Sequence, residues 1–506
     1  MSRQLDILFV KPSDRKQAYQ SLSIPLAALE PPVWAGLLAS YARGKGLSVS
    51  ILDPEAEGLG PQAVAERVAQ EDPVLVVVVV YGHQPSASTQ NMPAASSVTS
   101  AIKAREPERR VLLVGGHVAA LPERTLREER ADFVCGGEGF RTVEILAEAL
   151  KSGSGPEKAP DLYYLDGDTV RHTPPAPLVR ELDGEVPGVP WELLPMAKYR
   201  AHNWHCFGDL KREPYAALYT TLGCPYHCDF CCIHAAFKSG ERALGMDDHR
   251  NSYRLWSPER VLGWLDILVR RYGVRNIKIS DEMFVLNPAH VDGLCDGIAA
   301  RAYDLNIWAY ARVDTVNRAR AEKLKRAGVN WLAFGVEAAS ECVRKDVQKR
   351  FDQETIFKAV ETVRAAGISV IANFIFGLPE DDLASIRKTL DLAFELNCEF
   401  SNFYSAIAYP GSHLYRRAVE QGWPLPKSWG GYSQHARDAM PLPTKHLTSA
   451  EVLAFRDRAF KAYYTSPRYL DMIRKKFGPK TVEHIREMTR MDIQRETPGG
   501  ERLPAA

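Results

Sequence analysis

The sequence predicts an α/β chain: an N-terminal doubly wound (Rossmann/flavodoxin-like) sheet over 1–150, a partial (β/α)6 TIM-like barrel over 206–430, and a C-terminal helical segment over 431–506. Three observations predict it. Short apolar runs alternate with helical patterns twice along the chain, as strands buried on both faces of a parallel sheet do. A Pro- and Gly-rich stretch, 151–205, separates the two series. At 506 residues the chain is too long for one compact core.

In the first series LDILFV (Leu5 to Val10) is the opening strand. PPVWAGLLASYARGKG (Pro31 to Gly46) follows, with prolines suited to a helix start and glycines suited to its end. SVSILD, VLVVVVVY, RVLLVGG and ADFVCGG are further strands. Ligands of such sheets bind beyond the carboxyl ends of the strands. Those ends carry GHQPSAST (Gly82 to Thr89), GGH (Gly115 to His117) and GGEG (Gly136 to Gly139). The Pro/Gly-rich linker is expected to wrap the surface, with one small hairpin at DLYYLDGDTVRH.

The second series has strands at 215–223, 276–282, 307–314, 331–338, 369–377 and 399–411, with helical patterns such as SPERVLGWLDILVRRYG between them. Functional residues of a TIM-like scaffold sit at the strands' C-terminal ends. Beyond them TSAEVLAFRDRAFKAYY reads as helix, placed to cap one mouth of the barrel.

Composition narrows the function. Lys plus Arg (64) and Asp plus Glu (63) nearly cancel, so bulk charge gives no support to nucleic acid as a partner. MSRQLDILFVKP lacks the features of a signal peptide, and VLVVVVVY (Val74 to Tyr81) is far below the ~20 residues that span a bilayer. No membrane span and a cytoplasmic location are expected, where thiols stay reduced. A tight thiol cluster then reads as metal-binding or catalytic.

Such a cluster lies in TTLGCPYHCDFCCIH (Thr220 to His234), just after the barrel's first strand. Cys224, Cys228 and Cys231 are spaced Cys-x3-Cys-x2-Cys. Three thiolates are too few for a closed metal site, and on a four-iron cluster they would leave one iron open to a small molecule. His227 or His234 could instead complete a zinc site of the three-Cys, one-His type, giving a non-catalytic binding module. Cys232 reads as a packed thiol, and Cys135, Cys206, Cys295, Cys342 and Cys398 as core or incidental.

GCPYHCDFC, with its aromatic Phe230 before the third cysteine, resembles the cluster loop of the radical S-adenosylmethionine (SAM) superfamily. The resemblance implies that Cys224, Cys228 and Cys231 hold a 4Fe–4S cluster whose open iron is chelated by SAM. Low-potential electron transfer then cleaves SAM to the 5′-deoxyadenosyl radical. KISDEMF (Asp281, Glu282) is similar to the family's acidic strand end by the SAM amino group. AYARVD supplies Arg312 for the SAM carboxylate, a pairing a guanidinium makes with two hydrogen bonds. FGVEAAS supplies Glu337 for ribose or the amino group, and FIFGLPEDD, with Phe376 and Gly377, resembles the segment against adenine. Singly, each acidic or basic residue could equally close the barrel mouth with an ion pair.

The first 150 residues resemble the cobalamin-binding module that precedes the radical domain in one large subfamily, through LEPPVWAGLLASYARGKGLSV, GHQPSAST, LLVGGHVAALPERTL and ADFVCGGEGFRTVEIL. Gly115 and Gly116 could open a slot for the corrinoid. Ser86, Ser88 and Thr89 could hydrogen-bond its tail, and His117, Gly137 and Glu138 lie on the same strand ends. KPSDRKQAYQ occupies the loop where classical corrinoid proteins carry an axial histidine and has none, so histidine-off binding is implied, with His83 and His117 as wall residues. The whole resembles a class B radical SAM methyltransferase: one SAM methylates cobalamin, a second yields the radical, and the activated substrate carbon takes its methyl from methylcobalamin. A non-methylating rearrangement, cyclisation or oxidation with the same cofactors is the alternative. The partners implied are a small-molecule or peptide substrate and an electron donor such as flavodoxin or ferredoxin. Tyr404, Tyr409 and His413 are candidates for the substrate pocket.

Overall fold

The structure is a computed structural model that describes residues 5–12, 19–20, 26–82 and 84–496. The first series forms β1 (Ile7–Val10), β2 (Val49–Leu52), β3 (Leu75–Val79), β4 (Val111–Val114) and β5 (Phe133–Cys135). They pair in parallel in the order β2-β1-β3-β4-β5. That order reverses between β1 and β3, which makes their carboxyl ends the switch point where such sheets take ligands. Five consecutive apolar residues make β3 wholly buried, as a central strand covered on both faces must be. Helix Val33–Gly44, buried from Val33 to Ala42, packs between this sheet and the rest of the molecule.

The stretch 151–205 differs from its expectation as a surface linker. Its hairpin, β6 (Leu162–Asp166) and β7 (Thr169–His172), adds two antiparallel strands to the edge of the first sheet. The segment after it is buried, because the indole N–H of Trp256 donates to the carbonyls of Leu182 and Val186, and that of Trp264 to Pro187. Leu182, Val186, Trp191 and Tyr199 thereby join the core.

The second series forms an open six-stranded parallel sheet: β8 (Tyr215–Leu218), β11 (Asn276–Ile279), β12 (Asn306–Ala311), β13 (Val329–Glu337), β14 (Ser369–Phe376) and β15 (Phe400–Ser405), paired in chain order with β8 and β15 as its edges. Its crossover helices start where the sequence provides a cap: Ser257, Asn287, Asn317, Asp352 and Asp382 each accept the backbone N–H three residues on. The stretch 215–223, read as one strand, is two. After β8 the backbone turns, and β9 (Thr221–Gly223) pairs antiparallel with β10 (Tyr253–Leu255). The break is at Thr220, whose N–H and hydroxyl are held by Asp281 at 2.6 and 2.5 Å.

Helices Ser449–Thr465, Pro467–Phe477 and Pro479–Arg490 form the C-terminal segment and pack against β15 and the barrel. One hydrophobic core runs from Phe9 and Trp34 of the first sheet to Trp308 and Phe374 of the second. No helix among the described residues is long and apolar enough to cross a membrane.

Candidate functional site

Gly223 ends β9 at φ 91°, with its Cα so close to the Ser252 carbonyl that a Cβ would sit 2.3 Å from that oxygen. Only glycine fits there, and the turn it makes throws the cysteine loop across the barrel mouth. The loop is braced on every side. His234 Nε2 meets the Tyr226 carbonyl at 3.0 Å, and Asn251 Nδ2 meets the same carbonyl at 2.8 Å. The Asp229 N–H donates to Val347, and the Asp229 carbonyl accepts from Leu414. His234 Nε2 and His227 Nδ1 both approach Asn251, so each imidazole offered by the zinc reading helps hold the loop through one ring nitrogen, and His234 Nδ1 has no partner among the described residues.

All nine cysteines are free thiols. Burial pushes the Cys224 thiol up to about 12 and the Cys231 thiol well above its ordinary value. Thiolates in this loop therefore need a cation to offset desolvation and mutual repulsion, as any bound metal would supply. Among the described residues no three His, Cys, Asp or Glu side chains converge on one metal ion. An iron–sulfur cluster ligates its thiolates through separate irons and needs no such convergence. The donor set fits a cluster.

Strand parity sorts the expected SAM contacts. Lys278, Trp308, Tyr310, Ala333, Ile371 and Asn373 line a cavity of about 430 Å³ inside the barrel. Glu282 and Arg312 continue the same parity toward the mouth. Asp281 and Phe376 have the opposite parity. Both Asp281 oxygens are spent on Thr220, whose hydroxyl also meets His290 Nε2 at 2.9 Å, and burial lifts the Asp281 carboxyl to about 6. Phe376 is fully buried against Phe403 and Phe455. Ile375, on the other face, packs near Phe230 instead. Gly377, at φ 85°, turns the chain so that Asp381 accepts its N–H and that of Leu378.

On the inward face Glu282 is raised to about 8 by burial, and its Oε2 is shielded without a hydrogen-bond partner among the described residues. Arg312 forks onto Asp314 at 3.0 Å through two nitrogens and lies 4.1 Å over the Tyr226 ring of the cysteine loop. Glu337 holds a left-handed φ of 65° in a buried strand end, a strained conformation of the kind found at functional sites. Its partner was missed by the sequence reading: Lys349, buried, donates to Glu337 Oε1 at 2.8 Å and lies 6.0 Å from the Phe230 ring centre. Burial works to depress the Lys349 ammonium, and Glu337 together with the Cys228 thiol more than offsets it. No periodicity marks Lys349, which follows a short helix in a charged stretch.

In the first domain, Ser88 and Thr89 are engaged with His117. The Ser88 hydroxyl donates to the Val80 carbonyl and accepts the His117 N–H, while Thr89 Oγ1 meets His117 Nδ1 at 3.2 Å. His117 is buried edge-on to Trp429, pushed down to about 3 by burial, with Nε2 unpartnered among the described residues. Gly115 lies so close to Val80 that a Cβ would stand 2.4 Å from its carbonyl oxygen, whereas a Cβ on Gly116 would make only ordinary contact with Ser88 at 3.6 Å. Ser86 and Gln90 approach the Tyr409 hydroxyl, which makes Tyr409 an interdomain contact. Glu138 pairs with Arg254 of the second domain at 2.8 Å, and Asp161 closes over Gly137. His83 lies outside the described residues. His413, exposed, faces Asp229 at 3.5 Å, and of the three substrate candidates Tyr404 lines the barrel cavity.

A small cavity at the switch point is lined by Lys11, Val79, Tyr81, Gly82 and Gln90. Beside it a narrow one is walled by Gly82, Pro85 and Gly116 from the first domain and by Tyr219, Cys232 and Glu282 from the second. The seam sets the strand-end loops of the first domain directly against Cys232 of the cysteine loop.

Comparison with known proteins agrees. Residues 218–393 match the model of the Radical SAM superfamily and residues 22–147 that of the B12 binding domain. An uncharacterised methyltransferase of Pyrococcus horikoshii is 30% identical over 87% of this chain and 89% of its own. An anaerobic magnesium-protoporphyrin IX monomethyl ester cyclase of Synechocystis is 26% identical over 69% of this chain and 65% of its own. In fold, the chain is similar to the radical SAM methyltransferase TsrM of Kitasatospora setae, solved with cobalamin and a [4Fe–4S] cluster, with a TM-score of 0.64 at 18% identity over 83% of this chain and 75% of that one.

Proposed function

Because the chain belongs to the radical SAM superfamily, with a B12-binding domain ahead of its radical SAM domain, we propose that this cobalamin-dependent radical SAM enzyme transfers a methyl group to an unactivated carbon of a small molecule or peptide. The observation that carries the reading is the narrow seam where Gly82 and Gly116 face Cys232 and Glu282. Cys224, Cys228 and Cys231 would hold the cluster. Glu282, Arg312, Glu337 and Lys349 would face SAM, and Gly82, Pro85 and Gly116 would face a corrinoid bound without a histidine on cobalt. When bound, these groups supply one-electron reduction, hydrogen abstraction and a transferable methyl.

The chain's own part is placement and exclusion. Glu337 and Lys349, fixed on each other, offer a carboxylate and an ammonium to a zwitterion such as the methionine end of SAM. Arg312, stacked on Tyr226, ties the charge of the mouth to the position of the cluster loop. Trp34, stacked on Tyr81 at 4.0 Å, and Tyr219 seal the seam from bulk water, so that a reactive carbon meets only what is aligned with it. Electrons come from a donor such as flavodoxin or ferredoxin.

With reductant, cobalamin, SAM and the acceptor, S-adenosylhomocysteine and 5′-deoxyadenosine are expected together. Formation of 5′-deoxyadenosine alone, with an unmethylated product, overturns methyl transfer. It would favour a cyclisation or oxidation, the reading supported by similarity to the ester cyclases.

A further inference from the structure

The barrel cavity of about 430 Å³ is within the size range that encloses a drug-sized ligand. Trp308, Tyr310, Tyr404 and Phe460 give it an aromatic wall. Trp308 Nε1, on a side chain 4% exposed, has no hydrogen-bond partner among the described residues. An indole N–H can only donate, so it calls for an acceptor.

The charges on this wall do not balance. Lys278 is matched by Glu30 at 3.0 Å and Lys461 by Asp492 at 2.7 Å. Arg456, 4% exposed, gives Nε to the Phe403 carbonyl and Nη1 to Asp457, but Asp457 is also gripped by Arg495 at 3.0 Å. Two guanidiniums share one carboxylate. Burial and the neighbouring Arg495 hold Arg456 below its ordinary value, as expected of a cation short of counter-charge.

We propose that this cavity binds the substrate and that the substrate is an aromatic or fused-ring monocarboxylate, its rings on Trp308 and Tyr404 and its carboxylate at Arg456. The inference rests on the catalytic reading above for the word substrate, and on the cavity alone for the ligand class. A surplus of one positive charge matches a carboxylate better than a phosphate dianion.

The test is calorimetric titration of the anaerobically purified holoprotein with 2-naphthoate, 2-naphthamide and 2-naphthyl phosphate. Naphthoate is expected to bind about tenfold or more tightly than the amide, equivalent to 1.4 kcal/mol or more, and more tightly than the phosphate. Arg456→Gln and Arg495→Gln should each bring naphthoate and naphthamide to near-equal affinity, with amide binding retained as the check on folding. Should Arg456→Gln fail to fold, Arg495→Gln decides, since it restores one-to-one pairing at Asp457 without altering the cavity wall. Equal binding of acid and amide by the wild type, tighter phosphate, a preference that survives substitution, or no binding of any probe overturns the proposal. Methylation of a neutral acceptor would overturn it while leaving methyl transfer standing. Selective naphthoate binding in a protein that never yields S-adenosylhomocysteine would do the reverse.

Discussion

Replacing Arg254 by methionine isolates the charge that joins the two domains. Arg254 and Glu138 meet at 2.8 Å with side chains only 9% and 8% exposed. Val179 is caught between them, its N–H on Glu138 Oε1 and its carbonyl on Arg254 Nη1, both at 2.6 Å. The guanidinium also lies 5.3 Å from the Phe237 ring centre. Methionine keeps most of the stem's volume and strands the Glu138 carboxylate in a site water does not reach, at a cost of about 3–5 kcal/mol. Glu138→Gln still accepts from Val179 but leaves the Arg254 guanidinium without its counter-charge, and also costs about 3–5 kcal/mol. For a cooperative unit of 150–250 residues, each kcal/mol lowers Tm by about 2–4 °C, so Arg254→Met should fall by roughly 6–20 °C. The double variant should lose less than the sum, by about 0.5–3 kcal/mol, because neither charge is then left alone. Scanning calorimetry of the cofactor-free protein reads all three, and a cobalamin titration by absorbance runs alongside. If Glu138→Gln weakens cobalamin binding while its melting is unchanged, Glu138 is a corrinoid contact, as its strand-end position suggests, and the tether argument fails.

Substituting Cys224, Cys228 or Cys231 singly by alanine should abolish bound iron and the broad absorption near ~400 nm after anaerobic reconstitution, whereas Cys232→Ala should retain both; loss with Cys232→Ala would make it a ligand. Gly115→Ala drives a methyl group into the Val80 carbonyl, which is backbone and cannot swing away, so a loss of about 1–3 kcal/mol by chemical denaturation is expected, and an unchanged midpoint counts against the close approach. The Asp281 carboxyl, lifted by burial to about 6, takes up its proton more readily folded than unfolded. Its contribution is thus fully present below about pH 4 and lost as pH rises through about 6, amounting to ~3 kcal/mol. Asp281→Asn should flatten that part of the pH dependence of cofactor-free melting, and an identical slope in the variant refutes the assignment.

The succession of strands along the chain and the thiol-rich loop were legible because their signals are local. A five-residue apolar run can only be a buried strand here, and Gly223 ahead of three spaced thiols needs no tertiary knowledge to read as a metal loop. What escaped was set by partners far away in sequence. The stretch 151–205 reads as linker by composition, yet Trp256 and Trp264 fix it through indole hydrogen bonds that no window over 151–205 contains. Ser88 and Thr89 look available because hydroxyls after a strand often serve a ligand. His117, 28 residues beyond Thr89, takes up both. Lys349 gains meaning only from Glu337, across a helix and a turn.

Parity at the strand ends carries the same lesson further, because it separates residues that lie side by side in the sequence. Asp281 and Glu282 lie just beyond β11, and their side chains take opposite directions. Asp281 turns outward, where two bonds to Thr220 break the first strand and so release the chain that becomes the cysteine loop. Glu282 turns inward, with a shielded oxygen and a carboxyl raised by burial, at the seam shared with the first domain. One acidic pair thus does two jobs, shaping the cysteine loop with one carboxylate and lining the seam between the domains with the other. Asp281→Asn keeps the hydrogen-bonding shape and should spare iron binding, and Glu282→Gln should spare it too while weakening SAM.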